Sequence, residues 1–368
     1  MKVKNVDYTT IWVNGNNKEI INIIDQRKIP FEFSIAELHT IDDYFFAIKD
    51  MLVRGAPLIG VTAAYSIYCA SLEARNSNNP KEEIKRKAEY IKSARPTAVN
   101  LEAVVDLQLK MIENINNIDE IINSTFQFAE ELRQNDIKTN QSIGKYGYDL
   151  IKEISESKNG DEVNILTHCN AGWLATVDYG TALAPIFEAH RKGINLHVWV
   201  DETRPRNQGA KLTAWELYQE GIKHTVIPDN TGGHLMQNGM VDIVIVGTDR
   251  TSVNGDVANK IGTYLKALAA YDNDIPFYVA APSLSIDFHL DTRKDRIPIE
   301  QRNEDEIRYM DGMAHNEVET FLIIPKVTPV ANYAFDVTPA KYVSGLITER
   351  GICKADKESI LHLFPEQK

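Results

Sequence analysis

The strongest constraint on this chain lies in its second half, where short apolar runs recur between helical patterns. Val163–Leu166, Leu196–Val200, Thr225–Ile227, Val241–Val246 and Phe277–Ala281 are too short for helices and rich in β-branched residues. Such runs alternating with helical stretches are the pattern of βαβ units on a parallel sheet, because parallel neighbours need crossover connections. The sequence therefore predicts the α/β class. It places a Rossmann-like parallel-sheet domain at 138–368, after a smaller N-terminal domain, 1–137, of helices and a short antiparallel sheet, with the boundary near Asn135–Asn140.

Open parallel sheets bind ligands beyond the carboxyl ends of their strands, so the residues after each run carry the functional reading. They are His168-Cys169-Asn170, Asp201-Glu202-Thr203-Arg204, Asp229-Asn230-Thr231 and Gly247-Thr248-Asp249-Arg250. Four polar loops on one rim point to a site. Val163–Gly193 reads as a strand, a polar elbow and a long helix from Trp173, which would set Cys169 at or near a helix N-terminus. The helix dipole and free N–H groups there favour a thiolate, or a bound phosphate. Gln208, Lys211 and Trp215 fall near the start of the helix after the second run, and Asn259-Lys260 at another helix start. Thr338-Pro339 reads as the cap of a last helix reaching Arg350-Gly351.

In the first half, Thr10–Val13 and Glu19–Ile24 form a hairpin and Pro30–Phe33 a third strand. Thr40 caps a helix through Met51, and Pro57 opens one that is apolar nearly all round, with Arg54-Gly55-Ala56 just ahead. Lys81–Ala94 is a charged helix, Arg95-Pro96-Thr97 opens another through Ile115, and Asp119–Arg133 and Asn140–Ser157 are two more. Singly, Arg54 and Arg95 read as solvated arginines; together they can make an anion site.

A formal net charge of -12 argues against nucleic acid or an anionic membrane as main partner. Cys69, Cys169 and Cys353 are odd in number and widely spaced, which fits a reducing cytosol and lacks metal-ligand spacing. His168, His190 and His197 have no ligand-like spacing either. The opening MKVKNVDYTTIW has no signal-length apolar core and no run approaches a membrane span, so a cytoplasmic location is expected. Without GxGxxG after a strand, GxxxxGK[ST], HExxH or GxSxG, neither dinucleotide nor metal is implied, and no cofactor is expected. What remains is a thiol and a carboxylic acid, Cys169 and Asp249, at two strand ends. With basic side chains to hold a phosphate, they suit hydrogen movement between adjacent carbons of a sugar phosphate.

RGAP at 54–57, RPTAVNL at 95–101, THCNAG at 167–172, DETRPRNQGAKLTAWEL at 201–217 and GDVANKIGTY at 255–264, in this order, resemble methylthioribose-1-phosphate isomerases over nearly the whole chain. The resemblance implies an aldose–ketose isomerase of methionine salvage, and so of methionine biosynthesis. Its substrate would be 5-methylthioribose 1-phosphate, its product 5-methylthioribulose 1-phosphate, and its assembly a homodimer. It implies Cys169 as catalytic cysteine and Asp249 as proton donor, with Arg54, Gly55, Ala56, Arg95, Gln208, Asn259 and Lys260 on substrate-binding motifs. A phosphate on the anomeric oxygen locks the sugar as a ring, so an acid must protonate the ring oxygen. Asp249 would do so if burial kept it neutral, while Cys169 stabilises or moves charge at the C1–C2 bond. Whether a proton or a hydride crosses stays open. Trp173, Gly232-Gly233-His234 and Thr248 depart from the commoner family wording, which keeps 5-deoxyribose 1-phosphate open as an alternative substrate and sets Trp173 at the wall around the 5-substituent. Regulatory subunits of the translation-initiation guanine-nucleotide exchange factor share this fold, so a non-catalytic interaction role is the further alternative.

Overall fold

The structure, a computed structural model, describes residues 1–95 and 99–368. The chain divides into two compact units, Met1–Gln141 with Gly172–Gly180, and Ser142–Ala171 with Thr181–Lys368.

The first unit opens on a three-stranded antiparallel sheet, Ile11–Val13, Ile21–Ile24 and Ile35–Leu38, with Ile11 opposite Ile23 and Ile21 opposite Leu38. The third strand lies beyond Pro30–Phe33, because the amides of Phe31 and Glu32 both donate to the Lys28 carbonyl and close a turn there. Helix Ile41–Lys49 starts on a capping box in which the Thr40 hydroxyl and the Asp43 carboxylate satisfy each other's backbone N–H groups. Helix Ala56–Glu73 is buried without a break from Leu58 to Ser71, as its all-round apolar sequence requires. Helices Pro80–Ala94 and Val99–Ile112 follow. Pro96, Thr97 and Ala98 of the RPTAVNL stretch lie outside the described residues.

Helix Ile118–Ser157 is a single element of 40 residues where two were expected. The polar run Gln134–Asn140 contains neither glycine nor proline, so nothing breaks the backbone ladder, and Asp136 and Asn140 turn inward and are buried. Burial holds the Asp136 carboxyl up at about 7, even though it accepts the Val177 amide at 2.7 Å and the Asn140 side chain at 3.1 Å.

The second unit is built on a seven-stranded sheet in the order Gly351–Cys353, Gly345–Thr348, Phe277–Ala280, Ile243–Val246, Val163–Thr167, Leu196–Asp201, His224–Ile227. All neighbours are parallel except the first pair. The five runs read from sequence are therefore strands of one parallel sheet. Its inner strand Ile243–Val246 is fully buried, which explains an unbroken apolar run in place of alternation.

Three expectations for this unit are corrected. After the Cys169 turn the chain forms only a short 3-10 turn, Trp173–Ala175, which belongs to the first unit; the α-helix starts at Ala184. Trp173 is fully buried. Thr338-Pro339 leads not to a long helix but to a 3-10 turn and the strand Gly345–Thr348. Asn259 and Lys260 lie on a strand, Val257–Lys260, in a four-stranded sheet with Arg250–Ser252, Ile286–Asp287 and Phe335–Thr338.

Candidate active site

Strands of the parallel sheet are added on one side after Val163–Thr167 and on the other after Ile243–Val246, and these two strands are neighbours. The gap beyond their carboxyl ends is the topological switch point, where helices crossing to opposite sides leave a crevice. Cys169 follows the first of these strands and Asp249 the second. Gly247 lies so close to Ala171 that an added Cβ would sit 2.7 Å from the alanine Cβ, so only glycine lets the two turns approach.

Cys169 is buried and has φ of 69°, a left-handed conformation unusual for a non-glycine residue. The turn is held from both sides. Its N–H donates to the Thr203 hydroxyl oxygen at 2.9 Å, and its carbonyl accepts from the Thr213 hydroxyl at 2.8 Å. The Asn170 side-chain amide donates to Thr213 Oγ1 at 3.1 Å and to the buried carboxylate of Glu216 at 2.8 Å. Thr203 is itself left-handed, at φ of 66°, and is fixed by the Asp229 carboxylate, which accepts the amides of Thr203 and Arg204 at 2.7 Å each. Gly209 closes this frame: a Cβ there would fall 1.7 Å from the Asp201 carbonyl oxygen. Cys169 therefore owes its setting to a cage of side chains from neighbouring strand ends, and the expected helix N-terminus is absent from its elbow.

Asp249 is exposed, and its amide donates to the Ala258 carbonyl at 3.0 Å. The burial on which its neutrality was made conditional is not supplied by this chain. Gln208 is buried, and its Oε1 has no hydrogen-bond partner among the described residues. An unsatisfied buried acceptor costs about 1–3 kcal/mol unless a ligand or water donates to it. Asn259 and Lys260 are buried on their strand; the Asn259 amide donates to Thr263 Oγ1 at 3.0 Å, and the Lys260 ammonium lies 4.7 Å from the centre of the Phe335 ring. The loop bearing Gln208 is braced by Arg206 to Glu306 at 3.1 Å and Lys211 to Asp311 at 3.0 Å. Burial would raise the Glu306 carboxyl, but the Arg302 guanidinium bonded to it holds it down at about 2.

The other residues expected from the sequence belong to the first unit. Gly55 precedes helix Ala56–Glu73 with φ of 87°, and its Cα lies against the Ala175 backbone so closely that a Cβ would meet the carbonyl oxygen at 2.3 Å. Arg54 is half-buried ahead of it and Ala56 is the first helical residue. Arg95, also half-buried, ends helix Pro80–Ala94 where a helix start was expected. The second unit thus gathers Cys169, Asp249, Gln208, Asn259 and Lys260, and the first carries Arg54, Gly55, Ala56 and Arg95. Sequence reading did not find the supporting roles of Thr203, Thr213 and Asp229. Thr203 and Asp229 showed one signal, a position just past a strand end, whereas Thr213 lies in the helical turn Gly209–Thr213 and showed none.

Residues 52–355 match the initiation factor 2 subunit family. The methylthioribose-1-phosphate isomerase of Desulfatibacillum aliphaticivorans is 53% identical over 367 residues, covering 100% of both chains. Among solved structures, the 5-methylthioribose 1-phosphate isomerase of Pyrococcus horikoshii superposes with a TM-score of 0.84 at 38% identity, over 98% of this chain and 96% of that one. The translation initiation factor eIF-2B delta subunit of A. fulgidus gives 0.81 at 35%, over 98% and 100%.

Proposed function

Because this chain belongs to the methylthioribose-1-phosphate isomerases of the initiation factor 2 subunit family, we propose that its reaction is carried by Cys169 and Asp249. It is an enzyme, an aldose–ketose isomerase of methionine salvage that converts 5-methylthioribose 1-phosphate to 5-methylthioribulose 1-phosphate. The observation that carries the assignment of residues is their placement after the two strands flanking the switch point of the parallel sheet.

In this reading the carboxylic acid of Asp249 gives its proton to the ring oxygen as the C1–O bond of the ring opens. Hydrogen then leaves C2 for C1, as proton or hydride, and the C2 hydroxyl gives its proton to the Asp249 carboxylate, so the open 2-ketose 1-phosphate balances the ring-closed aldose and the acid is restored. Cys169 stabilises the charge that develops at C1–C2. Since Asp249 is exposed, the seated sugar itself must exclude water from the acid. The vacant Gln208 Oε1 is suited to accept from a sugar hydroxyl, and Asn259 can bond an oxygen of the sugar. Lys260, Arg54 and Arg95 are the anion-binding candidates, with Gly55 and Ala56 presenting backbone N–H groups at a helix start.

We further infer that the enzyme works in the cytoplasm as a homodimer on a small sugar phosphate. The odd number and wide spacing of the cysteines favour that compartment. No helix of the described residues is long and apolar enough to cross a membrane. Cys169→Ser and Asp249→Asn test the assignment: each is expected to lose most of kcat while still binding the sugar phosphate and keeping the parent Tm. Near-parent kcat in either variant removes that residue from the mechanism. Comparing kcat/KM for the 5-methylthio, 5-deoxy and unmodified ribose 1-phosphates identifies the preferred 5-substituent, and absence of turnover on all three would favour a non-catalytic role.

A further inference from the structure

Behind the Cys169 turn lies a buried polar network that takes no part in the chemistry just described. Its centre is His168, almost wholly buried, whose Nδ1 is 2.8 Å from Asp201 Oδ2 and whose Nε2 is 2.8 Å from the carbonyl oxygen of Ile261. A carbonyl only accepts, so Nε2 donates to Ile261, while Nδ1 and the Asp201 carboxyl form the second hydrogen bond. One of these bonds orients the ring and the other spans the site. His168 directly precedes Cys169, and Ile261 directly follows Lys260.

The surroundings are built to hold the ring in one pose. Gly262, at φ of 103°, leaves room only for the imidazole, since a Cβ there would come within 3.1 Å of its Cε1. Asp201 is fully buried and pairs with Lys266, whose ammonium is 3.1 Å from Oδ2 and also donates to the Asp229 carbonyl. The Asp229 carboxylate lies 3.8 Å from Nδ1, and Asp336, bonded to the amides of Gly262 and Tyr264, faces the ring from the strand Phe335–Thr338. His168, Asp201 and Asp229 have the spacing of metal ligands, and the Lys266 ammonium is already paired with the Asp201 carboxylate of that group. The cluster is therefore a buried hydrogen-bonded brace.

We propose that His168 is a positioning residue for the isomerisation, locking the turn that carries Cys169 to the end of the strand that carries Asn259 and Lys260. The proposal rests on the reading of those three as site residues. A small misplacement between a reacting group and the groups that hold the substrate costs about 100-fold in rate per ångström-scale error, so a lost lock is visible in kinetics even when the fold survives.

Two substitutions separate the bonds. Glutamine carries its amide nitrogen about as far as Nε2 and can still donate to the Ile261 carbonyl. Asparagine reaches only about as far as Nδ1, keeps the bond to Asp201 and loses the span. In the full-length enzyme with 5-methylthioribose 1-phosphate, His168→Asn is expected to lower kcat/KM by about 10–100-fold, mainly in kcat, with a Tm close to the parent. His168→Gln should recover at least tenfold of that loss. Equal losses in both variants, parent activity in both, or losses that merely track a falling Tm overturn the lock. Should His168→Asn fail to fold, Asp201→Asn carries the test by removing the charge that orients the ring: a tenfold fall in kcat of the folded variant supports the proposal and parent kcat overturns it. Cys169→Ser, assayed alongside, keeps the two readings apart. Its normal turnover would sink the site assignment itself, whereas an inert Cys169→Ser beside parent-like His168 variants sinks only the lock.

Discussion

Replacing Thr203 by valine removes one oxygen from the cage around Cys169 and almost nothing else. Thr203 is fully buried, accepts the Cys169 amide at 2.9 Å and donates to the Asp201 carbonyl at 3.0 Å. Valine has nearly the same shape, so no cavity opens, and its left-handed strain at this position is that of the β-branched threonine it replaces. The difference is therefore the loss of the two interior hydrogen bonds of that hydroxyl, from the Cys169 N–H and to the Asp201 carbonyl, together about 1–3 kcal/mol. Spread over a unit of about two hundred residues, this lowers Tm by about 2–10 °C. The turn should also loosen, and we expect kcat to fall about tenfold or more with KM little changed, because the thiol moves relative to the reacting carbons while the binding groups stay. Differential scanning calorimetry and initial-rate kinetics read the two effects, with Thr203→Ser, which keeps the hydroxyl, as control at near-parent values. Parent kcat and Tm in Thr203→Val, or the same losses in Thr203→Ser, would refute the reasoning.

Two further outcomes follow from burial. The Asp136 carboxyl, raised by desolvation to about 7, lies above its unfolded value of about 3.9, so its contribution is fully present below that value and is lost as pH rises through about 7. Asp136→Asn should remove this decline, and a variant whose Tm falls across pH 5–8 as steeply as the parent's would show that another group titrates. Trp173 is fully buried, so Trp173→Ala should cost about 3–5 kcal/mol of stability and lower kcat/KM equally for the 5-methylthio and 5-deoxy sugars. A change in their ratio at parent Tm would return Trp173 to the pocket wall.

Local chemistry alone determined the elements whose signals are short-range. Thr40 with Asp43 marks a helix start because side chain and backbone satisfy each other within one turn. Four of the five apolar runs mark parallel strands because a strand buried on both faces has no polar alternation, while the fifth, Thr225–Ile227, is an edge strand with Thr225 and Val226 exposed; their order along the chain places Cys169 and Asp249 at carboxyl ends. The motifs around them were enough to find the family. Tertiary structure decided what depends on partners distant in sequence. Gly345–Thr348 joins the large sheet because Phe277–Ala280 offers it a parallel edge, and Val257–Lys260, already in a local hairpin with Arg250–Ser252, gains Phe335–Thr338 as its second neighbour. Trp173-Leu174-Ala175 has the apolar character of a helix start, but it folds as a 3-10 turn of the first unit, where Gly55 admits the Ala175 backbone. The setting of Cys169 shows the same division. Sequence put the thiol at a strand end, but its elbow is held by Thr203, Thr213 and Asp229, residues that meet it only in the folded sheet. Hydrogen-bond partners across a strand rim leave no periodic trace in the chain that supplies them.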